Sequence, residues 1–192
     1  MKKEYFFYLL VPILLICPSL ISAQTKEEEE EVLKLLNSVR TDPQGFITNY
    51  LNPYLKENNL TTNGYAKSLI DDLKKTKKMG ALQFSPALNK VARMHAKDMG
   101  KTGSIGHSSS DGTSFSDRVR KESKAGGMIA ENCDYGNETA IDSVIGLLID
   151  DGIESLGHRK NILEPKYQWI GIAIEPHKKY TVNCVMDFAE KF

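Results

Sequence analysis

Two segments near the end of the chain alternate apolar and polar residues, and they constrain the fold more than any other feature. Trp169–Ile174 and Tyr180–Phe188 flank a loop of hairpin length, Pro176–Lys179. Alternation with a period of two residues predicts β-strands, and a short connecting loop predicts that they pair as an antiparallel hairpin. A third candidate strand, Met128–Cys133, precedes them. The sheet is therefore expected to be small, mainly antiparallel and formed late in the chain.

The part of the chain before the hairpin has helical periodicity instead. Apolar residues recur at intervals of three and four in residues 27–40, 65–78 and 138–151. Another helix is expected after Ser85-Pro86, because serine is a favoured N-cap and proline suits the first helical position. Helices that come first and strands that cluster late indicate the α+β class.

The N-terminus has the pattern of a signal peptide. Lys2 and Lys3 precede the apolar run Tyr5–Ile16, and Ser22-Ala23 offers small residues for cleavage. This run is short for a membrane span, and Pro12 interrupts it, so no stable membrane anchor is expected after cleavage. We predict that residues 1–23 are removed and that residues 24–192 form a single secreted domain.

The balance of charges and the number of cysteines limit the kinds of partner and the kind of environment that the protein can have. Lysine and arginine number 25, as do aspartate and glutamate, so the balance gives no electrostatic reason to expect a nucleic-acid partner. Cys133 and Cys184 remain after signal cleavage, and an even number of cysteines in an oxidising environment predicts that they form a disulfide. Two buried free thiols are the alternative. Asn59 and Asn137 are glycosylation acceptors only in a eukaryotic source.

The four histidines fall into three kinds of environment. His177 lies in a polar turn and is expected at the surface. His95 lies on the apolar face of the helix after Ser85, where a hydrogen-bonded core histidine is expected. His107 and His158 each follow a glycine in a loop, a setting from which a side chain can be presented to a cleft.

Two carboxylates are candidates to accompany the loop histidines. Glu131 lies on an otherwise apolar strand, where a carboxylate has to be paired or hydrogen-bonded to offset its desolvation. Asp150 and Asp151 end the helix predicted over 138–151. At about 100° per residue, Asp151 falls beside the apolar face and Asp150 falls on the solvent side. Asp151 is therefore the predicted cleft acid, with Asp150 as the alternative.

Several motifs occur in one order along the chain and together resemble a known family. They are Leu88…Ala92…His95, Gly106-His107-Ser108, Ala130-Glu131-Asn132, Gly157–Leu163, Ile170–Ala173 and Val185–Ala189. This set looks like the CAP superfamily, also called SCP-like, which includes cysteine-rich secretory and plant pathogenesis-related proteins. The resemblance spans roughly residues 30–190, and the sequence of the second histidine motif resembles the bacterial and protist branch.

The resemblance implies a three-layer α-β-α sandwich with a large central cleft. In the family, two histidines and two acids face this cleft, and the histidines can hold a divalent metal ion. The matching residues here are His107, His158, Glu131 and Asp151. Aspartate at position 151 departs from the usual glutamate and is one methylene shorter. Since a tight structural zinc site normally has four protein ligands, two histidines imply a weak, exchangeable ion such as zinc.

The resemblance favours a secreted binding module whose polar cleft docks an extracellular protein or other ligand. Two alternatives stay open: a sterol or lipid carrier, and a metal-dependent hydrolase in which Glu131, His107 and His158 would be the catalytic residues. The hydrolase is disfavoured because the sequence contains neither an HExxH pair nor a nucleophile-elbow motif.

Overall fold

The computed structural model describes residues 18–192, with side chains from residue 25 onward. The predicted signal peptide lies outside the described residues, except for the backbone at the start of the first helix. The helices are α1 (Pro18–Thr41), α2 (Pro43–Phe46), α3 (Asn52–Glu57), α4 (Gly64–Lys75), α5 (Pro86–Thr102), α6 (Phe115–Glu122), α7 (Ala140–Ile149) and α8 (Gly157–Ile162), and a π-helical turn (Ile47–Leu51) joins α2 to α3. The strands are β1 (Gln83–Phe84), β2 (Gly126–Tyr135), β3 (Trp169–His177) and β4 (Thr181–Lys191).

The four strands form one sheet in the order β1-β3-β4-β2. β3 and β4 are the predicted hairpin, β2 pairs antiparallel with β4, and only the short β1 is parallel to its neighbour. Glu131, Asp187 and Gly171 lie side by side across β2, β4 and β3. The expected α+β class with a small, mainly antiparallel sheet is confirmed. In the described part of the chain, no helix is both long and apolar enough to cross a membrane.

Helices cover both faces of the sheet. α1 and α7 bury their apolar residues with Met186 and Phe188 of β4 in the larger core cluster. On the other face, α5 packs Ala92 and Ala96 against Val185. α5 lies so close to β3 that a Cβ atom at Gly171 would come within 2.2 Å of the α5 backbone, so only glycine fits there. Helices α1 and α7, the sheet, and helix α5 are therefore the three predicted layers.

Side-chain caps fix the ends of the helices that matter for the site. Ser85 accepts a hydrogen bond from the backbone N–H of Leu88, as the Ser-Pro pair predicts. α7 begins at a capping Thr139 and ends when Asp150 adopts a left-handed conformation with φ 57° and ψ 43°. The predicted helix over 138–151 is therefore too long at its C-terminal end, and the helical spacing used for Asp151 does not apply there.

The predicted disulfide is wrong. Cys133 and Cys184 are both buried free thiols in the described part of the chain. Cys133 is paired in register with Val185, the residue next to Cys184 on β4. Because successive residues of a strand point to opposite faces, the two sulfurs lie on opposite sides of the sheet. Cys184 accordingly belongs to the α1/α7 core and Cys133 to the smaller core under α5.

Candidate functional site

His107 lies in the loop between α5 and α6, and four hydrogen bonds to three residues outside the loop fix the backbone around it. The Gly106 carbonyl accepts from Nε2 of His95 at 2.8 Å, and the Gly106 N–H donates to the Tyr135 hydroxyl at 3.0 Å. Gly106 has φ 111°, a conformation that favours glycine. Further along, Asp98 accepts from the backbone N–H and hydroxyl of Ser110 at 2.7 and 2.6 Å. The glycine-serine loop is therefore held in place from α5.

Glu131 joins the first histidine to a buried arginine. Nδ1 of His107 lies 2.9 Å from Oε1 of Glu131, and a guanidinium nitrogen of Arg118 lies 2.6 Å from Oε2. Because a carboxylate can only accept, His107 carries its proton on Nδ1. Burial alone would raise the pKa of Glu131, but the hydrogen bonds and charges of His107, His95 and Arg118 outweigh it and hold that pKa below its usual range. The hydrogen bond to Glu131 in turn raises the pKa of His107.

His158 has the same arrangement with a different acid. Its Nδ1 lies 2.7 Å from Oδ1 of Asp150, and its backbone N–H donates to Oδ2 of Asp150 at 3.0 Å. The residue that the sequence favoured, Asp151, instead accepts from Asn63 and is exposed. The left-handed turn at Asp150 ends the helix and directs that carboxylate to His158. Asp150 is thus the acid beside the second histidine, and the assignment of Asp151 is corrected.

The Asn residues of both sequence motifs tie the second histidine to β2. Asn132 donates from its side chain to the carbonyl of His158 at 3.1 Å, and Asn161 donates to Asn132 Oδ1 at 2.8 Å. Asn132 follows Glu131 directly, so it lies on the opposite face of this edge strand. The two histidines therefore approach consecutive residues of one sheet edge from its two sides.

The buried Arg159 stabilises the backbone beside Asp150, the acid that holds the second histidine. Arg159 is 2% exposed and donates to the carbonyls of Leu148 and Ile149 at the end of α7. It also contacts Asp72 of α4 at 2.9 Å. The arginine in the Gly-His-Arg motif thus locks the α7 terminus that carries Asp150. Its role is structural.

In both His107 and His158, one ring nitrogen remains available to bind a ligand. Nδ1 of His107 and Nδ1 of His158 are occupied by carboxylates, and no hydrogen bond to either Nε2 is recorded within residues 25–192. The His107 side chain is 56% exposed and that of His158 is 25% exposed. A carboxylate on one ring nitrogen is the usual arrangement behind a histidine that binds metal through the other.

The remaining histidines are both buried. His95 is the predicted hydrogen-bonded core histidine, with no exposed surface. The prediction of a surface His177 is wrong, since it is 3% exposed. It is the last residue of β3, its Nε2 lies 2.9 Å from the carbonyl of Ser104, and its ring packs against Tyr135 and Tyr180. The contact with the distant Ser104 loop is what buries it.

A second group of potential ligands lies beneath His107. One ligand atom from each of His95, Glu131 and Cys133 lies within 4.8 Å of the others, and all three residues are buried. Asp187, opposite Glu131 in the strand register, is also fully buried. This group could hold a metal ion. The sequence does not indicate this group, because His95 reaches Glu131 and Cys133 only through the packing of α5 on the sheet, and Asp187 reaches them only through the β2/β4 register. Arg118 carries no sequence signal either.

A cavity of about 840 Å³ lies at the opposite edge of the sheet, between α1, β1, β3 and α5. Leu33, Phe84 and Ile174 line it, but half of its lining residues are charged. Arg93 crosses it, contacting Glu29 at 2.6 Å and Glu175 at 3.0 Å. Neither His107 nor His158 lines this cavity, whose lining combines apolar side chains with the Arg93 ion pairs.

Comparisons with known proteins identify the fold. A family model described as "CAP: Cysteine-rich secretory protein family" matches residues 33–188. No curated protein matches the sequence significantly. An extracellular protein containing an SCP domain from Bacillus anthracis str. Ames is similar in structure, with a TM-score of 0.61 and 16% identity, over 92% of this chain and 44% of that one.

Two further solved structures share the fold. An outer surface protein from Borrelia burgdorferi has a TM-score of 0.51 and 20% identity, over 68% of this chain and 96% of that one. A cysteine-rich secretory protein from Staphylococcus aureus subsp. aureus Mu50 has a TM-score of 0.51 and 15% identity, over 88% of this chain and 40% of that one. This chain spans less than half the length of the Bacillus and Staphylococcus proteins.

Proposed function

The chain belongs to the CAP family of cysteine-rich secretory proteins, and from this premise we propose that it is an exported binding protein. His107 and His158 form a cleft that holds an exchangeable divalent metal ion and docks an extracellular partner. Export is supported by the apolar run Tyr5–Ile16 and by two relatives described as extracellular or outer-surface proteins.

One observation carries the metal proposal. Each of the two histidines has its Nδ1 against a buried carboxylate, Glu131 or Asp150, so that its Nε2 is the nitrogen left for an ion. The carboxylates fix both the tautomer and the ring orientation. Two imidazoles with water in the remaining positions suit zinc, but they bind it less tightly than a closed site of four protein ligands.

The geometry supports binding better than hydrolysis. A general base works best with a pKa near the operating pH. Arg118 and His107 instead hold the pKa of Glu131 below its usual range. Both oxygens of Glu131 are already occupied, by His107 at 2.9 Å and by Arg118 at 2.6 Å. Glu131 is therefore suited to orienting His107 and poorly suited to accepting a proton from water.

Zinc calorimetry on matched variants tests the proposal. We expect His107→Ala and His158→Ala each to abolish the cleft site. Asp150→Asn should weaken zinc binding about 10- to 100-fold, because it removes the group that orients the ring. Asp151→Asn is the matched control, since this neighbouring carboxylate is exposed and contacts Asn63 instead. Unchanged zinc binding in both histidine variants would refute the proposal.

A sterol or lipid carrier is the competing function, and extraction of the purified protein separates it from the proposal. We expect no stoichiometric lipid to co-purify, because Arg93 and its ion pairs with Glu29 and Glu175 cross the cavity at the far edge of the sheet. A lipid present at one equivalent, and lost when Phe84→Lys adds a charge to the same cavity, would favour carriage over metal-assisted docking.

A further inference from the structure

The outer edge of β2 carries backbone groups that nothing else in residues 25–192 uses. β2 is the last strand of the sheet, and only β4 pairs with it. Directly after β2, the Gly136 N–H donates to the Val182 carbonyl of β4 at 3.0 Å. Along an antiparallel strand, residues that bond to the neighbouring strand alternate with residues that do not. The backbone groups of Ile129, Glu131 and Cys133 therefore point away from the sheet, and none has a hydrogen bond within the described residues. We call these three the edge residues.

The opposite edge of the sheet is closed by side chains. Asn89 donates to the Ile172 carbonyl of β3. The next outward residue of β3, Ile174, has both backbone groups occupied. Its carbonyl accepts from Arg93 at 3.1 Å, and its N–H donates to Glu29 at 2.9 Å. The fold therefore saturates one edge of the sheet and leaves three residues of the other edge free to pair.

The open edge also lacks the features that normally prevent pairing. Natural edge strands are protected by proline, by lysine or by a β-bulge. The segment Ile129–Cys133 contains neither proline nor lysine, and the bulge of β2 lies before it, between Gly126 and Ile129. Its one charged side chain, Glu131, is bonded to His107 and Arg118. Nothing in the segment itself therefore opposes an added strand.

The open edge lies beside both cleft histidines. His107 contacts Glu131 from one face of the sheet, and the His158 carbonyl accepts from Asn132 on the other face. Met128, which is 39% exposed, adds apolar surface where the segment begins. At about 3.3 Å per residue, the edge residues span about 13 Å, which matches a short extended peptide.

We propose that an extended peptide segment of an extracellular partner docks by adding a strand to β2 along Ile129–Cys133. Backbone hydrogen bonds to the edge residues provide affinity, and an apolar side chain packed on Met128 provides selectivity. The loops of His107 and His158 flank the edge on both faces, which favours a single extended segment over the sheet of a second copy. The proposal rests on the docking part of the proposed function but does not depend on the metal ion.

Peptide selection followed by hydrogen exchange tests the open edge. A library of random linear peptides displayed on phage is selected on the purified protein, and a selected peptide is added for amide exchange measured by NMR. In the free protein, the edge residues should exchange faster than the alternate residues that bond to β4, namely Ala130, Asn132 and Asp134. With peptide at about 100 times its Kd, exchange at the edge residues should slow about 100-fold. The alternate residues are the internal control.

N-methylation of the selected peptide tests the same contacts without changing the protein. Methyl groups on alternate peptide nitrogens should each weaken binding about 10-fold, because each removes a hydrogen bond to β2, and those on the intervening nitrogens should not. In the protein, Ile129→Pro removes one outward N–H without touching the β4 ladder and should weaken binding by a similar factor. Ile129→Val is the matched control, because it keeps the N–H and should bind as the wild type does.

Three results would overturn the proposal: no peptide is enriched, a bound peptide leaves the edge residues unprotected, or N-methyl groups weaken binding without alternation. Protection that grows with protein concentration in the absence of peptide would also overturn it, because a second copy would then occupy the edge. None of these outcomes bears on zinc binding by His107 and His158, which calorimetry measures separately.

Discussion

The two histidine–carboxylate pairs orient their rings in the same way, but the two acids are stabilised differently. Glu131 holds His107 with one oxygen and receives the Arg118 guanidinium on the other. Asp150 holds His158 with one oxygen and receives backbone N–H groups of His158 and Arg159 on the other. Ring orientation therefore needs only one carboxylate oxygen. The second oxygen decides how much the fold depends on that acid.

Glu131→Gln should destabilise the fold more than any other substitution considered for these two pairs. This change leaves the buried charge of Arg118 without its counter-ion, and breaking a buried ion pair costs about 3–5 kcal/mol. The free energy of unfolding, measured by urea denaturation, should fall by that amount. Adding Arg118→Met should recover part of the loss, because the uncompensated charge is then removed. A loss below about 1 kcal/mol for Glu131→Gln would show that the fold does not depend on the Glu131–Arg118 ion pair.

Asp150→Asn should cost less, about 1–3 kcal/mol, because the groups left behind are backbone N–H groups and a histidine rather than a buried cation. Asparagine also tolerates the left-handed backbone at this position. Asp151→Asn is the control and should stay within about 0.5 kcal/mol of the wild type. The same urea experiment measures both. A loss for Asp150→Asn that equals or exceeds that of Glu131→Gln would contradict the different roles of the second oxygens.

The stability gap between the wild type and Glu131→Gln should narrow in acid. The folded pKa of Glu131 is held below its usual range, so its ionic contribution is fully present above the unfolded pKa of about 4.3 and is lost as the pH falls through the lower folded value. Urea unfolding in a series of buffers from neutral pH downward checks this. A gap that widens below about pH 4 would mean that Glu131 is not held in its charged form by Arg118.

Removing the rings themselves should have the smallest effect. In His107→Ala, Glu131 keeps Arg118, and in His158→Ala, Asp150 keeps its backbone donors. Each change should therefore cost only about 0.5–1.5 kcal/mol, the net value of one hydrogen bond. Thermal or urea unfolding measures it. A larger loss than that of the corresponding acid variant would show that the rings support the fold rather than serve a ligand.

Local sequence signals predicted the scaffold well. The Ser85-Pro86 pair predicted the start of α5, and the alternation after Trp169 predicted the β3/β4 hairpin. The need to pair a buried carboxylate correctly indicated that Glu131 has polar partners. The first two features depend on residues that are close together in the chain, and the third depends only on the cost of burying a charge. Each of them can therefore be predicted from the sequence alone.

Three predictions are wrong because contacts between distant parts of the chain, or the backbone geometry at a helix end, outweigh the local sequence pattern. Asp151 was preferred because the helix was extended past Asp150, whose left-handed backbone breaks the 100° spacing. The disulfide was predicted from cysteine number, but the strand register places Cys133 and Cys184 on opposite faces. His177 looked exposed in its turn, yet a loop 73 residues earlier in the chain covers it. None of these contacts has a local signature.

Anomalous diffraction from a zinc-soaked crystal tests whether His107 and His158 share one metal ion. We expect one zinc peak about 2.0–2.1 Å from Nε2 of both His107 and His158, with each Nδ1 still hydrogen-bonded to its carboxylate. A soaked crystal in which the two Nε2 atoms lie too far apart to share one ion, or in which zinc displaces the carboxylates and binds through Nδ1, would contradict it.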